Sequence, residues 1–204
     1  MKHWEKVLRR RILFDPGAWS VVPEDTRNLD AIVVAHEHQD HYEIDLLKRL
    51  LGASSGAQVI TNSGVGKHLD DVGIRWQKIE DGQSTRIKGV EIRGEGSEHA
   101  LIHKEWNAVH NTGYIIADSL FHPGDSFNTV PSPKVEFLAL PVSAPWGTIG
   151  VTIDFARAVG AKKCFAIHDA NLRWPGSAHV IPKELLAKDD IEFFVPEDGR
   201  EYEL

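Results

Sequence analysis

The sequence predicts a layered α/β sandwich. Short β-branched runs recur along the chain, each bounded by Gly, Pro, Asp or Asn. Amphipathic segments lie between only some of them, so strand and helix do not alternate as a pure βαβ fold requires. The length, 204 residues, suits one domain of ordinary size spanning 1–204.

The strand-like runs are Arg11–Phe14, Ala31–Val34, Gln58–Thr61, Val90–Arg93, Gly113–Ala117, Glu136–Leu140, Lys163–Ile167 and Ile191–Val195. A further apolar run ends at Phe121-His122 in a tight Pro123-Gly124 turn. Tyr42–Leu51 places Ile44, Leu47, Leu50 and Leu51 on one helical face. Gly64–Asp71 offers Val65 and Leu69, a thinner stripe. Ile149–Val159 follows the capping residue Thr148. Pro182–Ala187 is expected to open a helix, with the proline in its first turn.

Bulk composition narrows the function. The apolar fraction of 42% and charged fraction of 26% are those of a globular protein. A net charge of −7 argues against a nucleic-acid groove, which needs clustered Lys and Arg. The one basic cluster, Arg9-Arg10-Arg11, reads as a solvated turn or strand end. A single cysteine, Cys164, excludes an intramolecular disulfide and fits a reducing compartment. No stretch approaches the roughly 20 apolar residues of a membrane span, and Met1–Glu5 lacks a signal-peptide pattern. The expectation is a cytoplasmic protein with no membrane or nucleic-acid partner. Histidine is the outlier: there are 11, several beside carboxylates.

The apolar strand Ala31–Val34 runs into His36-Glu37-His38-Gln39-Asp40-His41. Four strong metal-binding residues within six positions would pack poorly if nothing sat between them, whereas imidazole and carboxylate together are zinc's usual ligands. In extended geometry His36, His38 and Asp40 share a side, and His41 points elsewhere, available to a second ion. Three later strand ends each present one more ligand-type residue: His99, Asp125 and His168.

In its order, Asp15-Pro16-Gly17, then HxHxDH, then a lone His, then Gly124-Asp125-Ser126, then a lone His, the chain resembles the metallo-β-lactamase superfamily. It looks closest to small bacterial metal-dependent hydrolases of the ascorbate-6-phosphate lactonase-like branch. The resemblance implies an αββα sandwich. It also implies a first metal held by His36, His38 and His99, a second held by Asp40, His41 and His168, and Asp125 between them. Zinc is the expected ion, with manganese or iron as alternatives. Two ions roughly 3.5–4 Å apart can share a bridging water and acidify it, so the implied activity is hydrolysis of a small-molecule ester, lactone or phosphoester. Asp40 is the expected proton acceptor. His103, four positions after His99, is the candidate for protonating a leaving group or binding an anion.

Two departures stand out. The family opens with an extra strand carrying a Gly-His pair, and only eleven residues precede Ile12, so that strand reads as missing or shortened. An edge exposed in this way points to a homo-oligomer. The commonest true β-lactamases place a cysteine in the second site; here His41 follows Asp40, so β-lactam turnover is not expected. Three other readings compete: a mononuclear iron enzyme acting on persulfides, a nuclease, which the acidic balance disfavours, and a metal-stabilised binding module without catalysis. The full set of seven ligand residues favours two metals.

His110 and Asn111 are weaker candidates for the mouth of the site, and His122 is expected either to point away from Asp125 or to support the site from behind. Trp19 and Trp146 are candidate pocket walls. His3, His68 and His179 read as surface residues, and Cys164 as a buried apolar group.

Overall fold

The computed structural model describes residues 10–24, 26–106, 109–197, 199–200 and 202. His3, Arg9 and the rest of the N-terminal segment lie outside the described residues. Two sheets stack with helices on both outer faces. One sheet has four strands, all parallel, in the order β1 (Ile12–Phe14), β2 (Ala31–Val34), β3 (Gln58–Thr61), β4 (Trp76–Lys78). The other has seven, in the order β11 (Glu192–Phe194), β10 (Lys163–Ile167), β9 (Phe137–Pro141), β8 (Leu120–His122), β7 (Gly113–Ile116), β6 (Val90–Glu95), β5 (Ser84–Ile87). Strands β5 to β8 form an antiparallel meander, and β8 to β11 run parallel. Among the described residues no strand precedes β1, which is an edge of its sheet.

Why the strand runs are so continuously apolar follows from this layering. Along β2, Ile32 and Val34 pack outward against α1 (Ile44–Ala53) and α2 (Ser63–Asp71), joining Leu47, Leu50, Val65 and Leu69. Ala31 and Val33 point the other way, into an inter-sheet layer with Ile60, Ile92 and Tyr114. A strand covered on both faces has no polar side to show. The outer face of the seven-stranded sheet is covered by α3 (Ile149–Val159) and α4 (Gly176–Leu186), through Leu138, Leu140, Ile153, Ala156 and Leu186. Each such aliphatic side chain contributes about 1.5–3 kcal/mol when fully buried. The αββα arrangement is therefore visible in three separate apolar layers.

Helix starts follow local chemistry. Thr148 caps α3 as its sequence position requires, its hydroxyl accepting from Val151 N–H. Asn62 caps α2 and also donates to Ala35 O at 2.7 Å, tying the helix to the end of β2. The expectation for α4 needs correction. It begins at Gly176, and Pro182 lies inside it rather than in its first turn. Ala178, Pro182 and Leu186 are spaced by four and all buried, so packing on one face outweighs the proline's missing N–H. No helix among the described residues is long and apolar enough to cross a membrane.

Candidate metal centre

Four strand ends meet at one edge of the sandwich. The loop after β2 carries His36–His41, the loop after β6 carries His99, the turn after β8 carries Asp125, and β10 ends directly at His168. The extended reading of the histidine tract fails beyond His38. His41 N–H donates to His38 O at 3.0 Å, closing a turn that brings Asp40 and His41 to the same side. Gly17 lies against this turn: a Cβ there would overlap Asp40 O and come within 2.6 Å of His41 N. Its glycine is needed for close approach, and Ala18 N–H donates to Gln39 O at 2.8 Å from the next position.

The seven sequence-predicted residues come together in three overlapping groups: His36, His38 and His99; His36, His41 and Asp125; Asp40, His41 and His168. Within each group the ligand atoms lie within 4.8 Å of one another. Asp125 Oδ1 is 3.3 Å from His41 Nε2; its Oδ2 is 3.3 Å from His168 Nε2 and 3.5 Å from His99 Nε2. Asp40 Oδ2 is 3.5 Å from His168 Nε2. A tetrahedral ion with bonds of about 2.0–2.1 Å would space its ligand atoms by roughly 3.3–3.4 Å, close to these separations. His36 Nδ1, His41 Nε2, His99 Nε2, His168 Nε2 and Asp125 Oδ1 are buried without a hydrogen-bond partner. Such atoms cost about 1–3 kcal/mol each if left so. The last four converge on one another, as divalent ions would require, while His36 presents its Nε2 to the cluster, 3.0 Å from His38 Nδ1; the residues fit such ions.

The opposite ring nitrogens are held from outside. His41 Nδ1 donates to Asp15 Oδ2 at 2.8 Å, His99 Nδ1 donates to Ala100 O at 2.6 Å, and His168 Nδ1 donates to Ser143 O. Each contact fixes the tautomer that leaves Nε2 free for a metal. Asp125 is clamped on two sides. Its N–H donates to Asn111 Oδ1 at 2.9 Å, and its Oδ2 accepts the Trp146 indole N–H at 3.0 Å. Gly124 enables that turn, with φ +61° and no room for a Cβ beside Asn111. His122 is buried, stacked on Phe14 with ring centroids 4.8 Å apart, and its Nε2 is 3.9 Å from Asp15 Oδ2. It supports Asp15 rather than Asp125.

Without an ion the cluster is charged unevenly. Burial opposes protonation of His41, but the carboxylates of Asp15 and Asp125 overcome it and push the imidazole up to about 10. Burial likewise opposes protonation of His168, and Asp125 and Asp40 raise it to about 11. Burial would raise Asp125, yet the close approach of the His168, His41 and His99 imidazoles holds it well below the carboxylate range. His36 is held well below the imidazole range, by burial first and the charge on His41 second.

Two recesses flank the cluster. The first, about 290 Å³, is bordered by Asp40, His41 and His168 and runs between β1 and β10. The second, about 470 Å³, is bordered by His99 and His110. His103 lines neither; it is exposed, and its Nδ1 accepts the Glu105 N–H at 3.2 Å within its own loop.

These features coincide with a sequence match. The profile of the Beta-lactamase superfamily domain matches residues 10–138. The chain belongs to the metallo-β-lactamase superfamily. Protein Rv0786c of Mycobacterium tuberculosis is 34% identical over 165 residues, covering 78% of this chain and 76% of that protein. Among solved structures, a candidate metal-dependent hydrolase from Parabacteroides distasonis superposes with a TM-score of 0.72 at 20% identity, covering 91% of this chain and 84% of that one. Igni18, a metallo hydrolase from the archaeon Ignicoccus hospitalis, gives 0.70 at 17% identity, covering 94% and 91%.

Several residues of this metallo-β-lactamase-fold site escape sequence reasoning. Trp146 stands out only as an aromatic in a turn-rich loop, yet it holds Asp125. Asp15 is visible only as part of an Asp-Pro-Gly turn, yet it orients His41. His179 is not a plain surface residue: it is half-buried and pairs with Asp169, the neighbour of His168, at 2.7 Å. His68 is exposed as expected, though bonded to the Tyr42 hydroxyl at 2.5 Å. Cys164 is buried, and burial pushes its thiol up to about 12, in keeping with an inert core residue.

Proposed function

We propose that this chain is a metal-dependent hydrolase of small-molecule esters, lactones or phosphoesters, working with two divalent ions. The observation that carries the reading is the convergence of four buried, unpartnered ligand atoms, His41 Nε2, His99 Nε2, His168 Nε2 and Asp125 Oδ1, from four separate strand ends. His36, His38 and His99 would hold one ion and Asp40, His41 and His168 the other, with Asp125 shared. The nitrogen and oxygen donor set suits zinc, and manganese or iron would accept much of it. Bound there, such ions would acidify a water and polarise a carbonyl or phosphoryl oxygen.

The chain's own residues supply the rest. Asp40 borders the first recess and keeps partial solvent access, so its Oδ2 can take a proton from an attacking water and return it to solvent. Asp15, Ser143 O and Ala100 O keep three imidazoles in one tautomer, and Trp146 with Asn111 keeps Asp125 aimed inward. The names of the two structural relatives above support a hydrolase.

The deciding experiment is metal content per chain, on protein purified without chelator, followed by a screen of generic esters, lactones and phosphoesters. About two equivalents of zinc or manganese with turnover is expected. One equivalent of iron and no hydrolysis would replace this reading with a redox one. Failure to take up any ion would defeat it.

A further inference from the structure

We propose that the substrate is an uncharged carboxylic ester or lactone carrying an apolar arm, and that the arm lies in the recess between β1 and β10. The inference rests on the hydrolase reading and narrows it.

The recess begins at the Asp40, His41 and His168 end of the cluster and continues along an apolar floor. Along β10, Cys164 and Ala166 face the helices, while Phe165 and Ile167 face the opposite way and line the recess. Phe14 and Leu120 add to the floor from β1 and β8, and Trp19, 52% exposed, forms the rim. Phe165 and Ile167 are only partly buried, so an occupant would remove apolar surface from water.

Charge points the same way. Among the described residues no Lys or Arg lines either recess, and the acidic groups at their walls are Asp15, Asp40 and Glu98. Beyond the cluster itself, a phosphate or carboxylate carried on the arm would find no Lys or Arg along the recess and would face these carboxylates. Lys104 and Arg173, on neighbouring loops, are exposed and line neither recess.

The third observation concerns the tryptophans around the site, of which Trp19 borders the first recess and Trp106 the second. Among the described residues the strongly exposed tryptophans are Trp19, Trp106 and Trp174, at 52%, 63% and 81%. Each sits on a loop that also carries a site residue: Asp15 after β1, His99 after β6 and His168 after β10. Large apolar side chains left in water on the very loops that hold the cluster mark a surface that receives an apolar partner.

The test uses zinc-loaded protein and p-nitrophenyl esters from acetate to octanoate, with p-nitrophenyl phosphate as the phosphoester probe. The expected result is a rise in kcat/KM of about four-fold per methylene until the recess is full, with the phosphate turned over more slowly than any ester. Trp19→Ala should flatten the chain-length dependence, whereas Val180→Ser, on the exposed side of α4, should leave it intact. In parallel, chelator-treated protein is titrated with γ-decalactone and γ-butyrolactone and followed by tryptophan fluorescence; only the longer lactone should bind, and Trp19→Ala should weaken it. Rates independent of chain length, or equal binding of the two lactones, would overturn the proposed recess. Faster turnover of the phosphate would overturn the substrate class while leaving the hydrolase reading standing. No turnover of any probe with two ions bound would remove the hydrolase reading, and with it the substrate class.

Discussion

Asp15 and His41 are 26 positions apart in sequence and joined by a 2.8 Å hydrogen bond from Nδ1 to Oδ2. The same carboxylate's Oδ1 accepts the Ala35 N–H at 2.8 Å, so one side chain fixes both the strand end and the imidazole that follows it. Asp15 has φ +43°, a conformation that Asn tolerates and most residues do not. Asp15→Asn should therefore keep the backbone while weakening the grip on His41. A loss of about 10- to 100-fold in affinity for one of two ions is expected, measured by competition with a chromophoric chelator. Unchanged affinity for both would show that Asp15 serves only the turn.

Proton release is a second consequence. His41 and His168, raised to about 10 and 11, both carry protons at pH 7.5 in the ion-free protein. Metal binding must expel those protons, whereas His36 is already neutral and releases none. Calorimetric titration with zinc in buffers of different ionisation enthalpy should report about two protons released from these groups, and affinity should fall as the solution is acidified. The sign for the ion-free fold is opposite. Both histidines have folded values above their ordinary 6.5, so their ion pairs stabilise fully below that value and are lost as pH rises through about 10–11. Thermal scans should show the ion-free protein weakening above about pH 10.

Gly17→Ala tests the packing behind the turn. No ligand is touched, yet the new Cβ would overlap the Asp40 carbonyl. The turn must shift, and affinity at the Asp40, His41 and His168 site should drop further than in Asp15→Asn. If both ions bind as before, the close approach is not what positions Asp40.

Trp146→Phe removes the indole N–H that Asp125 Oδ2 accepts and trims the bicycle to one ring, which can still pack on Phe127. Hydrogen bonds to charged groups contribute about 1.5–3 kcal/mol. The expected result is a fall in kcat of about ten-fold or more, with two ions still bound and little change in KM. Loss of an ion instead would assign Trp146 to metal retention.

Metal addition should also raise the unfolding temperature in a concentration-dependent way. At a hundred-fold excess over Kd, one site contributes about 2.7 kcal/mol. The same titration on Asp125→Ala should give a smaller shift, since the shared ligand is gone.

How much of this was legible in the sequence depends on where each residue sits. The strands β2, β3 and β10 are covered on both faces or firmly half-buried, so their apolar runs give their limits directly. Strands β4 and β5 were missed: Trp76–Lys78 is only partly buried, and Ser84–Ile87 shows polar side chains at three of four positions. The seven candidate ligands were readable because each follows a strand end with an unusual residue type. The supporting roles of Asp15, Asn111 and Trp146 were not, because a hydrogen bond made across the fold leaves no local pattern. Alternation misplaced Asp40 for a related reason: it assumes extended backbone, and the chain turns at His38.

Every ladder in the four-stranded sheet is parallel, and its strands β1, β2 and β3 have no hairpin to bring them together. Such pairings close long loops before they gain contacts, so they form slowly compared with the β5–β8 meander. The residues from His36 to His168 can meet only after both sheets have docked. Ion binding is thus a signal of completed folding rather than a seed for it. In refolding experiments zinc should slow unfolding while leaving the rate of folding almost unchanged.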